Sequence, residues 1–268
     1  MPTRLIVPEE KTENMETEFL DELIPLLPEE PIIVYQSPLG PREKRDYSGG
    51  KKELVILLSD ESHQPVDFKN CLVFRNYIPS KPAANERPIP LPFASGFKSD
   101  LTEHLSFNDR KYMMAFAGFV GDMRRQQAVS AMSTIREQFK RVYIRPSEGF
   151  SKGLTRQEYS EVMCNTMLAI CPPGGSHESF RMTEALKAGC IPVLLSKKDR
   201  QWYDPDFKTA FWLQSWEELA DLASWLINTD PMVLKERSKT CREFYKTHLS
   251  PEAVAGYITR EWYKDQTK

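Results

Sequence analysis

Between Met167 and Leu195 the chain reads MLAICPPGGSHESFRMTEALKAGCIPVLL, and few folds accept that order of residues. Residues 167–171 form an apolar run of strand length. Pro172, Pro173, Gly174 and Gly175 then break regular structure. Ser176 and Ser179 both suit a helix N-cap. Residues 180–188 read as a helix, with Phe180, Ala185 and Leu186 available to a core, and Gly189 is a natural stop. Residues 191–195 form a second apolar run. Strand, glycine turn, helix and strand make one βαβ unit, so a parallel sheet is expected here.

That unit has a chemical consequence. A helix that follows a Gly-Gly turn begins with unpaired N–H groups and the positive end of its dipole, a ready site for phosphate. Arg181 adds a fixed positive charge in the first turn, and Glu184, three residues on, shares its face. A phosphate-seeking arginine beside a hydroxyl-seeking carboxylate suits a nucleotide with a ribose. Arg181 and Glu184 as a plain surface ion pair is the competing reading.

A second block lies upstream. RKYMMAFAG, residues 110–118, is followed by Arg124 and Arg125. Together with Cys-Pro, Gly, Ser-Phe-Arg, Glu-Ala and Gly-Cys-Ile-Pro-Val of the later block, in that order, it resembles the donor-binding region of exostosin-like glycosyltransferases. The resemblance runs from Arg110 to Trp225; residues 1–105 show no comparable match. It implies an α/β fold of two Rossmann-like domains facing a cleft, of the GT-B kind, with the C-terminal helix packing back toward the first domain. It also implies a donor that is a nucleotide sugar, such as a UDP-linked xylose or other sugar, and an acceptor that is a glycan hydroxyl. The division is expected as an acceptor-side domain over 1–107 and a donor domain over 108–268.

Composition limits the alternatives. The 268 residues are 40% hydrophobic and 28% charged, with a formal net charge of −2, so no global field draws nucleic acid or membrane. No apolar run approaches the ~18–20 residues of a membrane helix, and MPTRLIVPEEKTEN lacks the apolar centre of a signal peptide. A soluble, cytoplasmic chain is therefore expected, a monomer or weak homodimer, unlike exostosins with their membrane anchor. The cysteines are five, without a CxxC spacing, which argues for buried thiols over a disulfide framework or a zinc site.

Taken in order, the first part alternates. Strands are expected at 4–7, 32–35, 54–58 and 71–74, and a helix at 15–27 ended by Pro28. Residues 79–97 hold prolines and no period, and read as an extended crossing. A short helix is expected within 99–108. Strands at 112–117 and 142–144 and helices at 123–139 and 155–165 follow, the last with a Thr155–Glu158 capping box. After the central unit come a strand at 211–213 and helices at 216–227 and 231–248. Ser250-Pro251-Glu252 then starts a terminal helix.

Candidate donor-binding residues are thus Arg124, Arg125, Arg145, Gly174, Gly175, Ser176, Ser179, Phe180, Arg181 and Glu184. Arg124 and Arg125 stand a few residues past a strand end, where paired guanidinium bonds grip a diphosphate. Arg145 sits at another strand's carboxyl end, where open α/β sheets bind ligands; a structural salt bridge is its alternative. Two or three arginines and a helix terminus balance a leaving diphosphate, so no cofactor and no metal is expected. Asp204-Pro205-Asp206 looks like the acidic metal motif of another glycosyltransferase class, but reads as a loop. For the base that activates the acceptor hydroxyl, Asp60 is the candidate, because it follows the strand at 54–58 and would face the cleft. Glu43, Asp46, Glu61 and His63 are its rivals. A base opposite the leaving group implies inversion. Tyr35, Tyr47, Phe93, Trp202 and Tyr203 could stack on sugars, though core packing is the commoner role. Competing functions are a non-catalytic nucleotide-sugar or glycan-binding module and a dinucleotide-dependent oxidoreductase. The latter is weakened by the missing G-x-G-x-x-G.

Overall fold

The computed structural model describes residues 4–6, 16–35, 45–46, 52–61, 64–101, 106–149, 152–174, 178–195 and 209–267. The chain divides into two compact units, Met1–Ser95 with His248–Lys268, and Gly96–Thr247. Each is built on a five-stranded sheet in which every neighbouring pair is parallel.

The first unit holds β1 (Arg4–Ile6), α1 (Thr17–Leu23), β2 (Ile32–Tyr35), β3 (Arg45–Asp46), β4 (Glu53–Leu58), β5 (Phe68–Lys69), β6 (Cys71–Arg75) and β7 (Glu86–Pro88). Its main sheet runs β1-β2-β4-β6-β7, and β3 pairs with β5 apart from it. Leu54 to Leu58 are all buried, as expected for a parallel strand covered on both faces. Pro25 shortens the expected first helix; Ile24–Leu26 is a 3-10 turn instead. The terminal helix α7 (Pro251–Gln266) belongs to this unit. Ser250 caps it by accepting from the Ala253 N–H. It packs on α1 and β6, with the Tyr257 ring edge-on to Phe74 of β6 at 6.1 Å, and its Glu261 lies 3.3 Å from Arg87 of β7.

Residues 79–97 do not stay irregular throughout, because β7 lies within them. Its sequence, ERP, carries no apolar pattern. It is an edge strand, where Pro88 costs no ladder bond to a further neighbour. Buried Glu86 anchors it by accepting from Arg75, 2.9 Å away, and from the Val66 and Ala83 N–H groups.

The second unit contains β8 (Tyr112–Phe119), α2 (Met123–Gln138), β9 (Val142–Ser147), α3 (Arg156–Cys164), β10 (Thr166–Ile170), α4 (Phe180–Lys187), β11 (Ile191–Leu195), β12 (Phe211–Leu213), α5 (Leu219–Asn228) and α6 (Pro231–Phe244). A π-helical turn, Tyr245–Leu249, follows α6, which therefore ends short of residue 248. The sheet order is β12-β11-β10-β8-β9. Within this sheet the chain starts at β8, steps out to the edge strand β9 and crosses back to the central strand β10, so its direction of winding reverses between β8 and β10. All five cysteines are buried thiols. Among the described residues no helix is long and apolar enough to cross a membrane.

Candidate functional site

The carboxyl ends of β8 and β10 are where an open parallel sheet forms its ligand crevice, since the strand order reverses there. Two segments leave that point. One runs from β8 through residues 120–122 into α2; the other runs from β10 through Cys171, Pro172, Pro173 and Gly174 toward α4.

Arginines tie these segments together. The Arg125 guanidinium donates to the Phe119 carbonyl at 3.1 Å and to the Pro173 carbonyl at 3.2 Å. Arg124 reaches the Gly174 carbonyl at 3.0 Å. Gly174 permits the approach: a Cβ there would lie 3.0 Å from Arg125 Nη2. Asp122 offsets the two charges at the helix start. It is the N-cap of α2, accepting from the Arg124 and Arg125 N–H groups, and its carboxylate lies 3.3 Å from Arg125 Nε. Its place directly before a helical pattern was the signal that could have identified it.

Arg181 comes from α4 and lies back across β8. Its Nη2 donates to the Ala117 carbonyl at 2.8 Å, and its guanidinium sits 4.6 Å above the Phe116 ring. Gly118 has φ +138°, and a Cβ on it would come within 2.5 Å of Arg181 Nη2, so the glycine of the FAG sequence makes room for that arm. Arg181 Nε is buried with no hydrogen-bond partner. Among the described residues no carboxylate pairs with Arg181, so the surface ion pair with Glu184 does not form. The Ala117 carbonyl holds the Arg181 guanidinium in place without neutralising it, whereas Asp122 offsets part of the Arg124 and Arg125 charge.

Glu184 is 2% exposed and accepts a 2.7 Å hydrogen bond from the Tyr159 hydroxyl. Phe180 opens α4 and is partly buried; Ser179 is its N-cap, with extended backbone and no side-chain cap bond. Arg145 is exposed on the edge strand β9, level with Ala117. Gly175 and Ser176 lie outside the described residues, as do Asp204, Asp206, Glu43, His63, Tyr47, Trp202 and Tyr203. Cys171, at the end of β10, has its thiol pushed up to about 12 by burial, and stays protonated.

Asp60 is corrected by its surroundings. It is 1% exposed, and its Oδ2 lies 2.7 Å from Arg75 Nη2. Arg75 is buried too and also pairs with Glu86. A carboxylate enclosed in that way holds the loop after β4 through Arg75, and its burial and ion pair argue against the open, cleft-facing base that its place after a strand suggests. The argument for inversion rests on Asp60 and loses its support. Of the rivals, Glu61 is exposed. Tyr35 and Phe93 are core residues, 3% and 0% exposed.

The family model of the exostosin GT47 domain matches residues 50–219. An exostosin-1 homolog of Caenorhabditis elegans is 28% identical over 115 residues, which is 41% of this chain and 29% of that protein's length. The solved structure of Anabaena Alr3699/HepE in complex with UDP-glucose is 11% identical, with a TM-score of 0.47 over 79% of this chain and 72% of its own. A sucrose-phosphate synthase from Thermosynechococcus elongatus is 15% identical, with a TM-score of 0.45 over 80% and 58%. Since the family match takes in more than half of the residues, including the two segments that Arg124 and Arg125 join and all of α4, the chain belongs to the exostosin GT47 domain family.

Proposed function

We propose that this chain is a glycosyltransferase that moves a hexose or pentose from a UDP-sugar to a glycan hydroxyl. One observation carries the reading: Arg124 and Arg125 from the start of α2 and Arg181 from the start of α4 converge on the switch point between β8 and β10, in a member of the exostosin GT47 domain family. The diphosphate sits at that point over the start of α4. Glu184 accepts from the ribose hydroxyls, and the turn that includes Gly174, Gly175 and Ser176 lets the nucleotide approach the backbone. Arg145 is a more distant contact, and Ser179 and Phe180 line the helix start.

The chemistry asked of the site is modest. The acceptor oxygen bonds to the anomeric carbon as the bond from that carbon to the diphosphate breaks. The acceptor proton leaves to a base other than Asp60. The charge that appears on the leaving diphosphate is met by guanidiniums and the helix N-terminus, donors fixed in advance. Donor binding is therefore independent of a divalent metal.

Calorimetry of the full chain with UDP tests the reading. UDP should bind and NAD should not, and excess EDTA should leave the UDP affinity unchanged. Arg181→Ala should weaken it by about 1.5–3 kcal/mol, the worth of hydrogen bonds to a charged group. Unchanged affinity in a folded Arg181→Ala protein would remove the diphosphate from this place. Loss on chelation, restored by magnesium or manganese, would overturn the metal-independent charge balance.

A further inference from the structure

Tyr159 is a residue with no place in the donor reading, although its hydroxyl donates to the Glu184 carboxylate. The two residues come from different helices, α3 and α4, separated in sequence by β10. A buried carboxylate is stable only when it is hydrogen-bonded, and the phenol supplies a 2.7 Å donor. Loss of solvent around the phenol, and then the Glu184 charge beside it, raise the Tyr159 pKa well above 10, so the group stays a donor.

Tyr159 is itself held. The Phe97 ring meets it edge-on at 6.0 Å. On the next residue, Ser160 Oγ accepts from the Lys98 N–H at 3.0 Å, and one turn later the Cys164 thiol lies 3.3 Å from the Lys98 carbonyl. The Thr155–Glu158 capping box fixes the start of the same helix. The phenol therefore stands on a helix pinned at three points, and the carboxylate it holds has a set orientation before any ligand arrives.

We infer that Tyr159 is a positioning residue that makes the site select ribose over deoxyribose, by fixing the Glu184 carboxylate in the orientation that receives ribose hydroxyls. This rests on the proposed role of Glu184. The diphosphate contacts of Arg124, Arg125 and Arg181 do not pass through Tyr159, so its removal acts on the sugar edge of the nucleotide alone. An acceptor oriented in advance loses less on binding than one that must be ordered by the ligand.

The test is the ratio of affinities for UDP and 2′-deoxy-UDP, measured by calorimetry on the full chain. The unchanged protein should prefer UDP. Tyr159→Phe keeps the ring against Phe97 and removes only the donor. It should lower that preference by about three- to tenfold, the worth of one net hydrogen bond, while the affinity for 2′-deoxy-UDP stays the same. Tyr159→Met, which also lacks a donor, should give the same ratio, and melting curves check that both variants fold. Full preference retained in Tyr159→Phe but lost in Glu184→Gln would overturn the role of Tyr159 and leave that of Glu184 standing. Equal weakening of both nucleotides would make Tyr159 merely structural, and also overturns the inference. No preference in the unchanged protein, or no UDP binding, would overturn the Glu184 reading and this inference with it.

Discussion

Asp60 and Arg181 are charged residues near the carboxyl ends of strands, and their surroundings give them opposite roles. Asp60 meets a guanidinium, and the pair is closed from water. Arg181 meets a carbonyl and an aromatic face, and keeps an unpartnered Nε. Removing one partner of a buried ion pair costs about 3–5 kcal/mol. Because Glu86 still holds Arg75, Asp60→Asn should fall at or below the lower end of that range in urea unfolding. Turnover per folded molecule should be unchanged. Full stability with a large loss of turnover would return Asp60 to the chemistry. A sequence shows that an aspartate follows a strand; it does not show that an arginine one strand over will claim it.

Elements were legible where their signals are local. The Thr155–Glu158 capping box forms as its spacing predicts, and Ser250-Pro251-Glu252 opens a helix. The central unit folds as Thr166–Ile170, Phe180–Lys187 and Ile191–Leu195, within a residue of its apolar runs. The strand β7 was not legible, because its bond to Arg75 is a tertiary contact and its residues are polar or proline. The capping box makes its own prediction. Thr155 donates its backbone N–H and hydroxyl to Glu158, and these bonds hold that carboxyl below its ordinary value of 4.5. A carboxyl with a lowered folded pKa contributes stability above its unfolded value, and that contribution is lost as the pH falls through the folded value. Thr155→Ala should lower the melting temperature by about 2–4 °C near neutral pH. The gap between variant and unchanged protein should narrow as the pH falls below 4.5 and through the depressed value. A gap that does not depend on pH would mean the box has no ionic part.

At the scale of the molecule, the last helix in sequence is part of the first unit in space. Trp262 on α7 is 3% exposed, beside Ile258 and Val254 at 0% and 1%. Large-to-small changes at such sites cost about 3–5 kcal/mol, because the cavity does not collapse fully. Trp262→Ala should therefore destabilise the unit built on β1, β2, β4, β6 and β7, read as faster hydrogen exchange along those strands. Strands β8 to β12 should keep their protection. Equal loosening of both sheets would show that the two units unfold as one.

The sequence by itself determined the parallel βαβ core, the caps, the amphipathic terminal helix and the presence of Arg124, Arg125, Arg181 and Glu184 near the starts of α2 and α4. Each depends on neighbours a few residues apart, within reach of one helix turn or one strand. Tertiary structure decided which partners those residues took. It laid Arg181 over β8 where Gly118 leaves space, brought Tyr159 from α3 to Glu184, and closed Asp60 against Arg75. Hydrogen bonds and ion pairs act over about 3 Å. Only the packed sheet, with its strand order β12-β11-β10-β8-β9, brings residues 64 or 25 positions apart within that distance.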